Sequence, residues 1–266
     1  MSDAIRRKNL FCAEGREGST VALLILYLLV YCGQTLWAQG GPPLLTDDPS
    51  TPGDGNWEIN IAFTAQNRRT EKSYEIPILD INYGLGERIQ LKYEVPWVVL
   101  DKSEQGTKNG LGRSEFGLKW RFLDQQRKGI DMSIYPQLAF PNSSSTVSRG
   151  LVERGLEFVL PCQVEKSFGR ISFNPELGYV FKEYDSNEWL YGCAFGYHVS
   201  SCLELLAEIY GTTEDDFAND ELLFNLGGRL KLSERHTLFI AVGRSFRSSS
   251  SREPEFLGYL GMQFNF

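Results

Sequence analysis

Ile89-Gln90-Leu91-Lys92-Tyr93-Glu94-Val95-Pro96-Trp97 places its apolar side chains on the odd numbers. Arg88, Gln90, Lys92 and Glu94 take the even ones. A strict period of two belongs to a strand with one apolar and one charged face. Pro77-Ile78-Leu79-Asp80-Ile81-Asn82-Tyr83 follows the same scheme, with Pro77, Leu79, Ile81 and Tyr83 on the apolar side. Gly84-Leu85-Gly86-Glu87 lies between the two runs and supplies the glycines of a tight reversal. The pair reads as a β-hairpin. Whether its apolar face meets a dry core, as in a soluble sandwich, or lipid, as in a membrane barrel, depends on the remaining chain.

Working outward, about twelve segments alternate in this way, each near the roughly 9–11 residues that a tilted membrane strand needs. Trp57, Ile59, Ile61 and Phe63 alternate with Glu58, Asn60 and Thr64. Phe116, Leu118, Trp120 and Phe122 alternate with Glu115, Lys119 and Arg121. Ile130 to Leu138 forms a further strand, and Leu156 to Val164 another. The series continues through Ile171–Phe181, Trp189–Tyr197, Leu203–Ile209, Leu222–Leu230 and Leu238–Val242, and ends with Leu260, Met262, Phe264 and Phe266. In the segment from Trp189 the opposing face is small: Gly192, Ala194 and Gly196.

The connections alternate in length. Those at 84–88, 124–129, 166–170, 200–201 and 233–236 are short; those at 67–73, 98–110, 141–154, 183–188, 212–220 and 247–254 are mostly longer and polar. Short turns on one rim and long loops on the other is the outer-membrane pattern, with both termini on the periplasmic side. The apolar face is almost free of charge, and Trp57, Tyr83, Trp97, Trp120, Trp189 and Tyr197 fall near strand ends, where an aromatic girdle belongs. Lipid offers no partner to an open sheet edge, so the sheet must close. The expected fold is all-β, a closed antiparallel transmembrane β-barrel of about 12 strands. Pro136 and Pro175 fit less well, since each removes a ladder hydrogen bond inside a strand.

The amino terminus carries Arg6, Arg7, Lys8 and Arg16 before the apolar run VALLILYLLVY at 21–31. That run is too short to span a bilayer as a helix and reads as a signal peptide over 1–38, cleaved after Ala38. Tyr31 is too bulky to precede a lipidated Cys32. Residues 39–55 form an irregular lead-in rich in Gly, Pro and Asp, expected in the periplasm; it is also a candidate plug of the lumen. The barrel takes 56–266. In this lead-in Asp47, Asp48 and Asp54 read as a solvated acidic loop rather than a calcium site. Of 5 cysteines, Cys162, Cys193 and Cys202 remain after cleavage, and the first two read as small apolar residues facing lipid.

The 266 residues carry a net charge of -7, which argues against a nucleic-acid partner. The 42% hydrophobic content and mean hydropathy of -0.27 exclude a bundle of spanning helices but suit strands that are half apolar. No cofactor or metal motif is present. The 2 histidines, His198 and His236, fall at short turns, and the lipid-facing side carries no joint Ser, His and Asn constellation that would make a hydrolase site. An enzyme is not expected.

The chain segments GPPLLTDDPSTPGDGNWEINIA, starting at Gly41, and YEIPILDINYGLGERIQLKYEVPW, starting at Tyr74, resemble the outer-membrane protein family named after the meta pathway of phenol degradation. The resemblance extends from about Gly41 to Phe266 and is strongest up to Trp97. It implies a barrel transporter for small hydrophobic or aromatic molecules, in the bacterial outer membrane, reached by signal-peptide-directed export. The terminal aromatic Phe266 is associated with reading by the outer-membrane assembly machinery. Partners are then the lipid bilayer, that machinery and an unnamed small permeant.

The candidate lumen-lining residues are Glu58, Asp80, Asn82, Arg88, Lys92 and Glu94 in the first half, with Arg113, Glu115, Lys119 and Arg121. Glu157, Glu176, Glu204, Glu208 and Arg229 complete the set. Such charges either select permeants or pair across the lumen and fill it. A barrel of this strand number has an intermediate bore, so a narrow or plugged pore is expected. The competing reading is a non-conducting structural or surface-interaction barrel that presents the loops at 98–110 and 141–154.

Overall fold

The computed structural model describes residues 42–103, 106–217, 220–246 and 254–266. The expected signal peptide and the first residues of the lead-in lie outside the described residues. Strands β1 (Trp57–Asn67), β2 (Glu71–Leu85) and β3 (Ile89–Lys102) form the first meander. β4 (Gly106–Leu111) and β5 (Arg113–Leu123) follow as one stave bent at Gly112. β6 (Asp131–Ile134) and β7 (Gln137–Pro141) make another, broken at Tyr135 and Pro136. Then come β8 (Glu157–Phe168), β9 (Ile171–Lys182), β10 (Glu188–His198), β11 (Leu203–Glu214), β12 (Asp220–Lys231), β13 (His236–Ser245) and β14 (Phe256–Asn265). These segments pair antiparallel with their sequence neighbours and close into a barrel of 12 staves. Closure is made by β1 against β14, from Glu58↔Asn265 to Asn67↔Phe256. Trp57 and Phe266 exchange backbone hydrogen bonds of 3.2 and 3.0 Å at the seam.

The two faces are inverted relative to a soluble protein. Ile61 (46%), Leu177 (56%) and Ile240 (56%) are exposed on the outside, whereas Asn60 (2%), Lys119 (2%) and Glu208 (1%) are buried inside. A sheet that exposes its apolar side chains and encloses its ionic ones is stable only where its outer solvent is hydrocarbon. Cys162 and Cys193 are free, half-buried thiols in this alternation. Trp57, Trp120 and Tyr197 are exposed near the short-turn rim, and Trp189 near the long-loop rim.

Both anomalous prolines have local explanations. Pro136 sits in the break between β6 and β7, where its carbonyl still accepts from Leu118 N at 3.0 Å. Pro175 falls where the β8–β9 ladder is interrupted, between Gln163↔Glu176 and Lys166↔Phe173. The expected continuous strand from Ile130 to Leu138 is therefore two pieces, because Pro136 cannot donate. Two connections also gain structure. The turn after β5 contains α1 (Gln125–Lys128), capped by Asp124, whose carboxylate accepts from Gln126 N. The loop after β7 contains α2 (Ser144–Ser148). β3 and β4 extend what was expected as a loop into a raised hairpin, where Val98, Leu100 and Leu151 form a small apolar cluster.

Candidate functional site

Inside the wall, the residues that alternation turned inward form one polar network. On β1–β3, Asp80 accepts from Asn60 Nδ2 at 2.9 Å and from Asn82 Nδ2 at 3.0 Å. Gln90 Nε2 donates to Asn82 Oδ1 at 2.7 Å, and Glu58 lies 3.5 Å from Asn60 Nδ2. Lys92 Nζ bridges Glu94 at 3.0 Å and Glu115 at 2.9 Å, joining β3 to β5. Near the long-loop rim Arg113 pairs with Glu157 at 3.4 Å and also donates to the carbonyls of Ala139 and Gly155. Near the opposite rim Arg121 lies 4.0 Å from Asp131 and donates to Glu87 O at 2.7 Å.

The lead-in occupies the lumen beneath these groups. Arg229 Nε on β12 donates to Pro42 O at 2.8 Å and its Nη1 to Glu204 on β11 at 3.2 Å. Leu44 packs with Ala194 and Leu206. Glu208 accepts from Leu45 N at 3.1 Å and from Thr46 N, and it is held by Asn225 Nδ2 at 2.7 Å. Asp47 N donates to Glu176 on β9 at 3.2 Å, while Asn174 Nδ2 donates to Asp47 O at 2.9 Å. From β5, Lys119 Nζ meets Asp47 Oδ1 at 2.9 Å and Asp48 O at 2.6 Å. The chain then returns to the short-turn rim, where Thr51 Oγ1 donates to Glu87 O at 2.9 Å and β1 begins. The segment thus crosses from β12 over β11 and β9 to β5; six of its backbone polar groups bond to the wall, and Asp48 N and Ser50 N donate to the Asp47 and Asp48 carboxylates within the segment.

Asp47 and Asp48 are therefore not a solvated acidic loop: Asp48 is buried and Asp47 is ion-paired with Lys119. Small wall residues make the seat. A Cβ at Gly192 would collide with Thr46 Oγ1, and one at Gly227 would come within 3.2 Å of Pro43 Cγ.

A cavity of about 690 Å³ adjoins the lead-in within the barrel. Of the expected lumen residues, Glu58, Asp80, Asn82, Lys92 and Glu94 line it, as do Glu115, Lys119, Glu157, Glu176 and Arg229. Glu204 and Glu208 are buried on the wall, Glu208 beneath the lead-in. Arg88 is exposed at the short-turn rim, where it and Arg121 border a separate hollow with Arg127 of α1. Ile78, Val159, Val180, Leu190, Leu223 and Ala241 add an apolar belt to the main cavity. Asn60, Gln163, Asn174, Asn225 and Tyr135 belong to the network or its lining and were missed in the sequence. Their signal was present, since each has the parity of a charged neighbour on its strand, but apart from Asn82 only charged residues are among the candidates. His198 is buried 3.7 Å from Glu204, and His236 meets Ser233 Oγ at 2.8 Å in an exposed turn. Among the described residues no cluster of His, Cys, Asp or Glu is placed to hold a metal ion.

No family model and no curated protein matches the chain. Solved structures do. A COG4313 outer membrane channel from Pseudomonas putida F1 superposes with a TM-score of 0.63 at 16% identity, over 86% of this chain and 100% of that one. The KdgM porin gives 0.55 at 14% identity, over 79% and 99% of the two chains. The NanC porin gives 0.55 at 11% identity, over 77% and 98%. At these identities the likeness concerns the fold: this chain has the architecture of outer-membrane barrels.

Proposed function

We propose that the protein is a bacterial outer-membrane channel for small, hydrophobic or aromatic molecules, closed at rest by its own lead-in. One observation carries the reading. A barrel with an apolar exterior encloses a cavity belted by Ile78, Val180, Leu190 and Leu223, and a segment hydrogen-bonded to the wall, rather than part of it, obstructs the lumen beside it. Within an otherwise polar lining, this apolar belt offers contact area to the body of a small apolar solute. The likeness to barrels named as channels and porins supports the same reading. KdgM is also known in complex with oligogalacturonate. A polyanion of that kind suits this lumen poorly, because carboxylates outnumber cations along the cavity.

The proposal includes export by a cleaved signal peptide over 1–38, assembly through the terminal Phe266, and termini in the periplasm, so that the long loops face outward. Membership of the family named after the meta pathway belongs to it too, supported by TDDP at 46–49 and LDINYG at 79–84.

The test is flux. In proteoliposomes the protein should pass small aromatic solutes. A variant lacking 42–55 should add ion conductance in planar bilayers, since the charges released from the lead-in are rehydrated rather than stranded. The second reading, a surface-interaction barrel, is favoured by the self-contained cluster of Val98, Leu100 and Leu151 beyond the wall. Absence of both flux and conductance from both forms would leave that reading standing.

A further inference from the structure

At the short-turn rim, apart from the lumen network, the β2–β3 turn and the turn that carries α1 face each other across a hollow of about 680 Å³. It adjoins the last wall pair on that side, Ile89↔Trp120, which the bond from Arg121 N to Arg88 O extends at 2.8 Å. Part of its lining is apolar and belongs to the outer face, where Leu85 and Trp120 are exposed. The rest is ionic: three arginines, Arg88, Arg121 and Arg127, and two carboxylates, Glu87 and Asp124. A Cβ on Gly86, at the top of the β2–β3 turn, would meet nothing within 4 Å, so the space over the turn is open.

These charges do not satisfy one another. Arg121 is spent on Asp131, at 4.0 Å, and on Glu87 O, at 2.7 Å. Among the described residues Arg88, Arg127, Glu87 and Asp124 have no ion-pair partner. Asp124 uses only Oδ1, which accepts from Gln126 N at 2.9 Å as the cap of α1. Two open cations and two open carboxylates thus border one space. Equal numbers of the two signs disfavour a plain anion and suit a molecule that carries both.

The place of the hollow in the bilayer says which molecule. Trp120 belongs to the aromatic girdle, at the level of lipid head groups, and Leu118 and Phe116 continue the exposed outer face from it toward the midplane. A guanidinium fork matches phosphate oxygens. A primary ammonium brings three N–H donors to carboxylates that have none. We propose that the hollow seats a phospholipid with a phosphoethanolamine head. Its phosphate lies between Arg88 and Arg127, its ammonium points to Glu87 and Asp124, and its acyl chains run along Trp120 and Leu118. This site depends on the barrel's lying in a bilayer and not on what passes through the lumen, so absence of flux leaves it in place.

The experiment offers the whole detergent-solubilised protein an equimolar mixture of phosphatidylethanolamine, phosphatidylglycerol and phosphatidylcholine with identical acyl chains. Native mass spectrometry counts the lipid retained. Phosphatidylethanolamine should be retained about threefold or more over either rival, because the glycerol head lacks the cation and the choline head lacks the N–H donors. Arg88→Gln with Arg127→Gln should lower retention of all three lipids, by about fivefold or more for phosphatidylethanolamine. Glu87→Gln with Asp124→Asn should abolish the preference without lowering retention of phosphatidylglycerol, since Asn still caps the helix. The competition on the unaltered protein decides the matter even if a variant does not fold. Equal retention of the three lipids, as from an unselective annulus, or a preference for phosphatidylglycerol would overturn the proposal. A preference for phosphatidylethanolamine that survives both double variants would overturn it too, by placing the lipid elsewhere on the barrel.

Discussion

Lys119 holds the lead-in from the β5 wall through the Asp47 carboxylate and the Asp48 carbonyl, and it is almost wholly buried. Removing Lys119 leaves the half-buried Asp47 carboxylate and the Asp48 carbonyl without their partner, a cost of about 1–3 kcal/mol, below that of breaking a fully buried ion pair. That cost falls on the seated form alone, since the withdrawn segment returns Asp47 to water. Lys119→Met is therefore expected to raise the unseated fraction by about tenfold or more, read as open-channel current in planar bilayers. Lys119→Met with Asp47→Asn should close again in part, because no stranded carboxylate remains. Current unchanged from the parent protein in the single variant would show that this contact does not hold the segment. Gly192→Val acts on the same seat by shape, since any Cβ there collides with Thr46 Oγ1. It should likewise increase current, without the partial reversal that Asp47→Asn provides. Lys119, Glu176, Glu208 and Arg229 were legible as inward residues because strand parity assigns a side to every position. Their partners were not, since the lead-in has no period and a lone Asp47-Asp48 pair looks the same in water or in a lumen.

On the scale of a strand, β9 shows how strongly position decides the effect of a charge. Leu177 faces outward and Glu176 inward, one residue apart. An arginine on the lipid face near the midplane costs about 2–4 kcal/mol, falling toward the interfaces. Leu177→Arg is accordingly expected to lower the unfolding free energy by about that amount in urea titrations of the barrel in bilayers, while Gln66→Glu, at a half-buried position lining the cavity on β1, should alter it far less. Equal losses for the two would contradict the assignment of faces. The alternation that makes this prediction possible was readable for nearly every strand, because one apolar face per strand leaves a period of two in the sequence. What escaped it were the irregular parts. β4 has no clear alternation of its own and exists by pairing with β3, from Trp97↔Leu111 to Lys102↔Gly106. The break between β6 and β7 follows from Pro136, whose position was visible although its consequence depended on the neighbouring ladders. The helices α1 and α2 are too short to show a helical period.

Taken as a whole, the molecule is a closed wall plus one segment that crosses its inner face from Arg229 to Lys119 and rejoins the short-turn rim at Glu87 and Gly84. Two parts that meet only by hydrogen bonds, ion pairs and the small Leu44 cluster should also meet when separated. A peptide of residues 42–55 is therefore expected to block the barrel from which those residues have been deleted. Tethering supplies the segment at an effective concentration in the millimolar range, so the free peptide must be offered at about that level to compete. The block should be sided. The chain enters and leaves the lumen at the short-turn rim, where Thr51 meets Glu87 and Gly55 N donates to Gly84 O at 3.0 Å. Peptide added on that side reaches its seat by the route the tethered segment takes, whereas from the other side it must first cross the cavity lined by Ile78, Leu190 and Leu223. Sided block would also fix the orientation of the termini, once the direction of insertion is marked by a protease acting on the 98–110 hairpin from one side. If millimolar peptide leaves the current unchanged from both sides, the segment is a fixed part of the wall's folding and not a removable gate. Peptide carrying Asp47→Asn should block more weakly, tying the effect to the Lys119 seat rather than to nonspecific obstruction.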